Sequence, residues 1–151
     1  RQDSVLKVFP DAKFVFLVRD PLETIPSYFS LQENVKFGNL LTSDEMKLLR
    51  KETYAEIIEW YRETEKVKSK LVKKQFITLT YPQITGDLEN SISLFYKFIG
   101  KKMTKKFQKQ VSDYAGKKYT KKHQNKTIED YGFTKKQILS DFDFVYQKYF
   151  V

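Results

Sequence analysis

Two polar residues in segment 13–31, KFVFLVRDPLETIPSYFSL, have the types and spacing to hold an anion. Arg19 carries a fixed positive charge, and its guanidinium can give two parallel hydrogen bonds to one phosphate, a geometry lysine lacks. Ser27, eight residues later, adds a hydroxyl donor. It lies six residues beyond Pro21, so about 9 Å up a helix axis at 1.5 Å per residue. An arginine side chain folding back along that helix could share an anion with it beside the first two turns. The alternative for Arg19 is a structural ion pair at the end of a strand.

Two elements must position this pair. Phe14-Val15-Phe16-Leu17-Val18 is a short apolar run without polar alternation, which reads as a strand of a parallel sheet buried on both faces. It breaks into Arg19-Asp20-Pro21, where Asp20 suits an N-cap and Pro21 a first helical residue. Arg19 then stands where open α/β sheets bind ligands, beside a helix N-terminus whose free amides and dipole favour anions. Pro26 lacks the N–H that the Leu22 carbonyl would accept, so a bend is expected there.

The stretch FPDAKFVFLVRDPLETIPSYFSL resembles the 3′-phosphate-binding segment of sulfotransferases that use 3′-phosphoadenosine 5′-phosphosulfate (PAPS), in the style of the bacterial-type enzymes. In that family the arginine and the serine eight residues later grip the 3′-phosphate, which implies those roles for Arg19 and Ser27. The resemblance implies an α/β fold: a partial P-loop-NTPase-like parallel sheet flanked by helices, with a helix-rich C-terminal half. It covers almost the whole chain but only the C-terminal portion of the family's domain. The family's phosphosulfate-binding turn, its lysine and its catalytic histidine have no match, and the chain opens on Arg1 rather than Met. The expectation is one domain over residues 1–151, a portion of a sulfotransferase domain and inactive alone.

Composition is that of an ordinary globular chain: 151 residues, 40% hydrophobic and 31% charged, with 13 Phe and 10 Tyr for a core. The absence of cysteine excludes disulfides and thiol chemistry, and a single histidine excludes a histidine-rich metal site. No apolar stretch reaches membrane-span length and no leader is visible, so a cytoplasmic location is expected. The net charge of +9 is concentrated. Ten of the 28 basic residues but one of the 19 acids lie in 101–126, leaving the remainder balanced. Such confinement suggests an anion-facing rim, against the plainer reading of a solvated lysine-rich surface.

Residues 1–10 read as the end of a helix, with Val5, Leu6, Val8 and Phe9 as its apolar contacts. Residues 32–41 read as a loop. Thr42 and Glu45 have capping-box spacing before a helix to about Lys74, with a stripe of Met46, Leu49, Tyr54, Ile57, Ile58, Tyr61 and Leu71. Phe76-Ile77-Thr78-Leu79-Thr80 is a second strand, ended by Tyr81-Pro82. In sulfotransferases such a strand ends in Tyr-Glu-Asp-Leu, whose tyrosine lies near the adenine. Tyr81 falls at that place while Pro-Gln-Ile replaces the rest, and a tyrosine plugging the strand end is the alternative. Asp87 caps a helix stopped by Gly100. Residues 104–115 form another, with Phe107, Val111 and Tyr114 inward. Residues 117–126 read as an exposed basic loop, which in the family meets the 3′-phosphate; Lys121, Lys122 and His123 are the implied contacts. TIEDYGF at 127–133 resembles the family's Ser-Leu-Glu-Asp-Phe-Gly-Leu segment. Thr134 with Gln137 caps a last helix carrying Ile138, Leu139, Phe142, Val145, Tyr146 and Tyr149.

The implied reaction is sulfuryl transfer from PAPS to a hydroxyl or amine of an acceptor, with this chain holding the 3′-phosphate half of the donor site and no metal. His123 as a replacement base is the weaker assignment. Two rivals remain: a basic nucleic-acid or polyanion-binding module, and a non-catalytic P-loop-fold fragment. Against nucleic acid, the lysines form no recognition helix or aromatic-studded sheet, and Arg19 with Ser27 would go unexplained.

Overall fold

A computed structural model describes residues 2–37, 40–117 and 126–150 of the chain. They are helix-rich α/β, as the sequence predicts, and group into two compact units: residues 1–18 with 66–120, and residues 19–65 with 121–151. Lys121, Lys122 and His123 lie outside the described residues.

The first unit contains α1 (Gln2–Val8), β1 (Phe14–Val18), β2 (Phe76–Thr80), α4 (Tyr81–Gly86), α5 (Leu88–Ile99) and α6 (Lys105–Ala115). β1 and β2 pair in parallel, with Phe14 opposite Phe76 and Val18 opposite Thr80. Both strands have the predicted bounds. The two-faced burial expected of β1 is corrected: Phe16 and Val18 are buried, but Leu17 is 69% exposed and Val15 39%. An unbroken apolar run fixes the strand, while the pleat sends alternate side chains to opposite faces whether or not both are covered. Phe16 packs with Val67 and Leu71, joined by Leu6, Phe14 and Phe76. Lys68, itself buried, lays its ammonium within 6 Å of the Phe16 and Phe76 rings. Of the contacts expected from α1, Val5, Val8 and Phe9 are exposed. The caps follow local chemistry. Asp87 accepts from the Asn90 amide, and Gly100 takes the left-handed conformation (φ 72°) that closes α5. Thr104 caps α6, which buries Val111, whereas Tyr114 is 67% exposed and not inward.

The second unit holds α2 (Pro21–Leu31), α3 (Ser43–Lys70) up to Glu65, α7 (Lys135–Asp141) and α8 (Asp143–Tyr149). α2 runs unbroken through Pro26. The loop expected at 32–41 is corrected in its first part, since Gln32–Phe37 continues the helix in wider π turns. Gln32 is drawn inward because its amide nitrogen donates to Thr53 Oγ1 at 2.9 Å, both residues being buried. Glu33 binds Arg50 and Lys126. Thr42 and Glu45 make the predicted reciprocal cap of α3, which ends at Lys70 rather than Lys74. The core is aromatic: Phe29 meets Tyr131 and Phe133, while Tyr54 meets Phe133 and Phe142 at 4.6 and 6.1 Å. The last helix is two, broken at Phe142, which is wholly buried between α7 and α8. Leu139, expected inward, is 39% exposed.

Candidate functional site

The chain leaves β1 at Val18, and Arg19 and Asp20 form the entry to α2. The Asp20 carboxylate accepts from the Leu22 amide at 2.8 Å, and the Asp20 carbonyl accepts from the Glu23 and Thr24 amides at 3.0 and 2.9 Å. This corrects the expectation of free amides at the helix start: the cap occupies those donors, so an anion held here rests on side chains.

Two tyrosines brace the turn from distant parts of the same unit. Tyr146 of α8 donates to Asp20 Oδ1 at 2.5 Å and lies 3.3 Å from the Leu22 amide. Tyr61 of α3 donates to the Arg19 carbonyl at 2.7 Å and lies 3.4 Å from Thr24 Oγ1. Burial pushes both phenols up, and the Asp20 carboxylate adds to the shift because a phenolate beside it would meet like charge. Both therefore stay protonated donors at neutral pH.

The Arg19 guanidinium reaches forward onto α2, where Nε and Nη2 both lie 3.3 Å from Glu23 Oε2. The side chains are 37% and 45% exposed, so water screens the pair. Glu23 and Ser27 are four residues apart, on one face of α2 and about 6 Å along its axis. The ion pair anticipated as the alternative for Arg19 is thus present, and its carboxylate stands four residues before the partly buried Ser27. The segment offers one fork-shaped cation and one hydroxyl as donors, with an exposed carboxylate paired to the cation.

Tyr81 belongs to the first unit. It is the first residue of α4, which Thr80 and Gln83 cap reciprocally: Thr80 Oγ1 accepts from the Gln83 amide, and the Gln83 side chain accepts from the Thr80 amide at 2.8 Å. Tyr81 is partly buried and lines an open cleft of about 340 Å³ with Ile84, Leu88, Tyr114 and Lys117. The cleft offers two phenol rings and one cation beside the carboxylates of Asp87 and Glu89; the Lys117 ammonium lies 5.6 Å from the Tyr114 ring centre. Tyr114 was missed as a site residue because its helical spacing matches an inward position. Tyr61 and Tyr146 were read as core for the same reason, and Glu23 carried no signal beyond a favourable charge in a first helical turn.

The profile of the sulfotransferase family matches residues 1–105. Among curated proteins, the omega-hydroxy-beta-dihydromenaquinone-9 sulfotransferases Stf3 of Mycobacterium bovis and Mycobacterium tuberculosis are each 27% identical over 96 residues. The match takes in 64% of this chain and 25% of theirs, so the chain spans about a quarter of their length. The crystal structure of sulfotransferase STF9 from Mycobacterium avium superposes with a TM-score of 0.77 at 19% identity, over 98% of this chain and 38% of that one. That likeness establishes the fold.

Proposed function

The chain belongs to the sulfotransferase family, and from that premise we propose that it is the part of a PAPS-dependent enzyme that grips the 3′-phosphate of the donor. The observation that supports the reading is the pairing of the Arg19 guanidinium with Glu23 of α2, the residue four positions before Ser27 and on its helix face. Arg19 supplies a bidentate contact and Ser27 a hydroxyl donor. Asp20, Tyr61 and Tyr146 fix the backbone from which Arg19 extends. Tyr81 takes the adenine contact that its place after β2 implies; a phenol ring offers a flat apolar face with a polar edge, suited to a purine. Lys121, Lys122 and His123 are assigned to the same phosphate by family resemblance. Both compact units are read as belonging to one domain.

The bound nucleotide supplies the sulfuryl group, which passes to a hydroxyl or amine of the acceptor. The residues of this chain orient the donor by its far end. Holding a non-reacting phosphate in place converts binding energy into alignment at the reacting centre.

The test is calorimetric titration of adenosine 3′,5′-bisphosphate into the full protein carrying this chain, with adenosine 5′-phosphate as control ligand. The bisphosphate should bind more tightly. Arg19→Ala should weaken it about 10- to 100-fold, the loss of a charge-assisted pair, and leave the 5′-phosphate unaffected. Equal, weak and salt-sensitive binding of both nucleotides would refute the reading in favour of general polyanion attraction by the lysines of 101–126.

A further inference from the structure

Arg19, Glu23 and Ser27 recur at four-residue intervals, so the carboxylate stands between the two groups assigned to the phosphate. Its distance of 3.3 Å from both Arg19 Nε and Nη2 means that it uses the edge of the guanidinium from which a bidentate phosphate contact would be made. We propose that Glu23 is an internal competitor for the donor's 3′-phosphate, a resident anion that tunes how tightly this site holds its nucleotide. The inference rests on the reading of Arg19 and Ser27 as the phosphate grip.

The physical argument has two parts. A phosphate approaching Arg19 must first loosen the Glu23 pair, which is partly exposed and so easily exchanged. Once bound, it carries its charge close to a carboxylate on the same helix face, and like charges at that range repel. Both effects weaken retention of a 3′-phosphorylated nucleotide. Neither touches a nucleotide without that group. For a transferase whose spent donor keeps its 3′-phosphate, weaker retention favours release between turnovers. The plainer role of Glu23, an acid in the first turn of α2 complementing the helix dipole, predicts that removing its charge leaves the difference in affinity between the two nucleotides unchanged.

Glu23→Gln removes the charge, keeps the side chain's length and leaves a residue suited to the third helical position. Titration of the full protein should show adenosine 3′,5′-bisphosphate binding about 3- to 10-fold more tightly than to wild type, with adenosine 5′-phosphate unchanged. In an Arg19→Ala background the gain should shrink, since the contested cation is gone. Unchanged or weaker bisphosphate binding overturns the proposal. So does an equal gain for both nucleotides, or a gain undiminished without Arg19. If wild type fails to discriminate between the nucleotides and ignores Arg19→Ala, the phosphate-grip reading fails and this inference with it. If wild type discriminates through Arg19 and only Glu23→Gln misbehaves, the grip stands and the competitor does not.

Discussion

Tyr146→Phe tests whether the Arg19–Asp20 turn is braced as the geometry indicates. The substitution deletes one hydroxyl and leaves the ring tilted against Phe150, 5.8 Å between centres. The lost bond runs to a carboxylate at 2.5 Å, a type worth about 1.5–3 kcal/mol. Asp20 keeps its bond from the Leu22 amide, so the lower part of that range applies, about 1.5–2 kcal/mol at pH 7. The folded phenol titrates well above an ordinary tyrosine, because it is buried and because it donates to Asp20. A group raised in the folded state stabilises fully below its unfolded pKa, near 10 for tyrosine, and loses that contribution as pH rises toward the folded value. Wild type should therefore lose stability through Tyr146 above pH 10 by up to about 1.4 kcal/mol per pH unit, reduced to about 1 kcal/mol by partial exposure. The variant lacks this loss. Urea unfolding followed by the fluorescence of the single tryptophan, Trp60, should show a gap at pH 7 that closes by more than half at pH 11. Other tyrosines and the lysines titrate in both proteins and cancel. A gap below about 0.5 kcal/mol at pH 7, or an equal gap at both pH values, would refute the bracing.

Thr53→Val should destabilise the second unit by about 1–3 kcal/mol in denaturant unfolding, since it strands the buried Gln32 amide that Thr53 satisfies. Gly100→Ala should cost about 1 kcal/mol by the same measurement. The glycine has φ 72°, and an added Cβ there meets nothing within 4 Å, so the penalty is backbone strain without a clash.

Features set by neighbours in sequence were legible before the structure. The apolar run from Phe14 and the β-branched run from Phe76 gave both strands their bounds, and Thr42, Asp87 and Thr134 accept at the helix starts where they stand, whereas α4, capped by Thr80, was not foreseen. What escaped depends on groups far apart in the chain. The Tyr146–Asp20 bond joins residues 126 positions apart, and Tyr61–Arg19 joins residues 42 apart. A tyrosine at an apolar helical position shows where its ring goes, not which carboxylate its hydroxyl will find. The π turns after Leu31 follow the same rule: with Gly38 and Asn39 ahead, residues 32–37 look like a loop, yet the Gln32–Thr53 bond and the Glu33–Arg50 pair hold them helical. The break at Phe142 has no glycine or proline to announce it, and the wholly buried ring between α7 and α8 is its visible correlate.

Selection and attraction are separable in this chain. Between Arg19 and Ser27 the charges are one arginine against Asp20 and Glu23, so the segment assigned to the phosphate carries no net positive field. The helix end adds little, its first amides being spent on Asp20. Discrimination on the proposed reading must then be geometric: a guanidinium fork and a hydroxyl matched to one phosphate, next to a carboxylate that any poorly matched anion would have to displace. On the same reading the long-range pull is assigned to the lysines of 101–126, a segment whose single acid is Asp113. Salt screens such a field over about 8–10 Å at physiological ionic strength but acts weakly on a close bidentate contact. Raising salt should thus lower the affinity for the more highly charged bisphosphate somewhat more than for the 5′-phosphate and then leave a residual ratio that salt no longer erodes, whereas Arg19→Ala should abolish that residual ratio at high salt. A ratio that collapses with salt in the wild type would place discrimination in the lysine field and remove Arg19 from its assigned role.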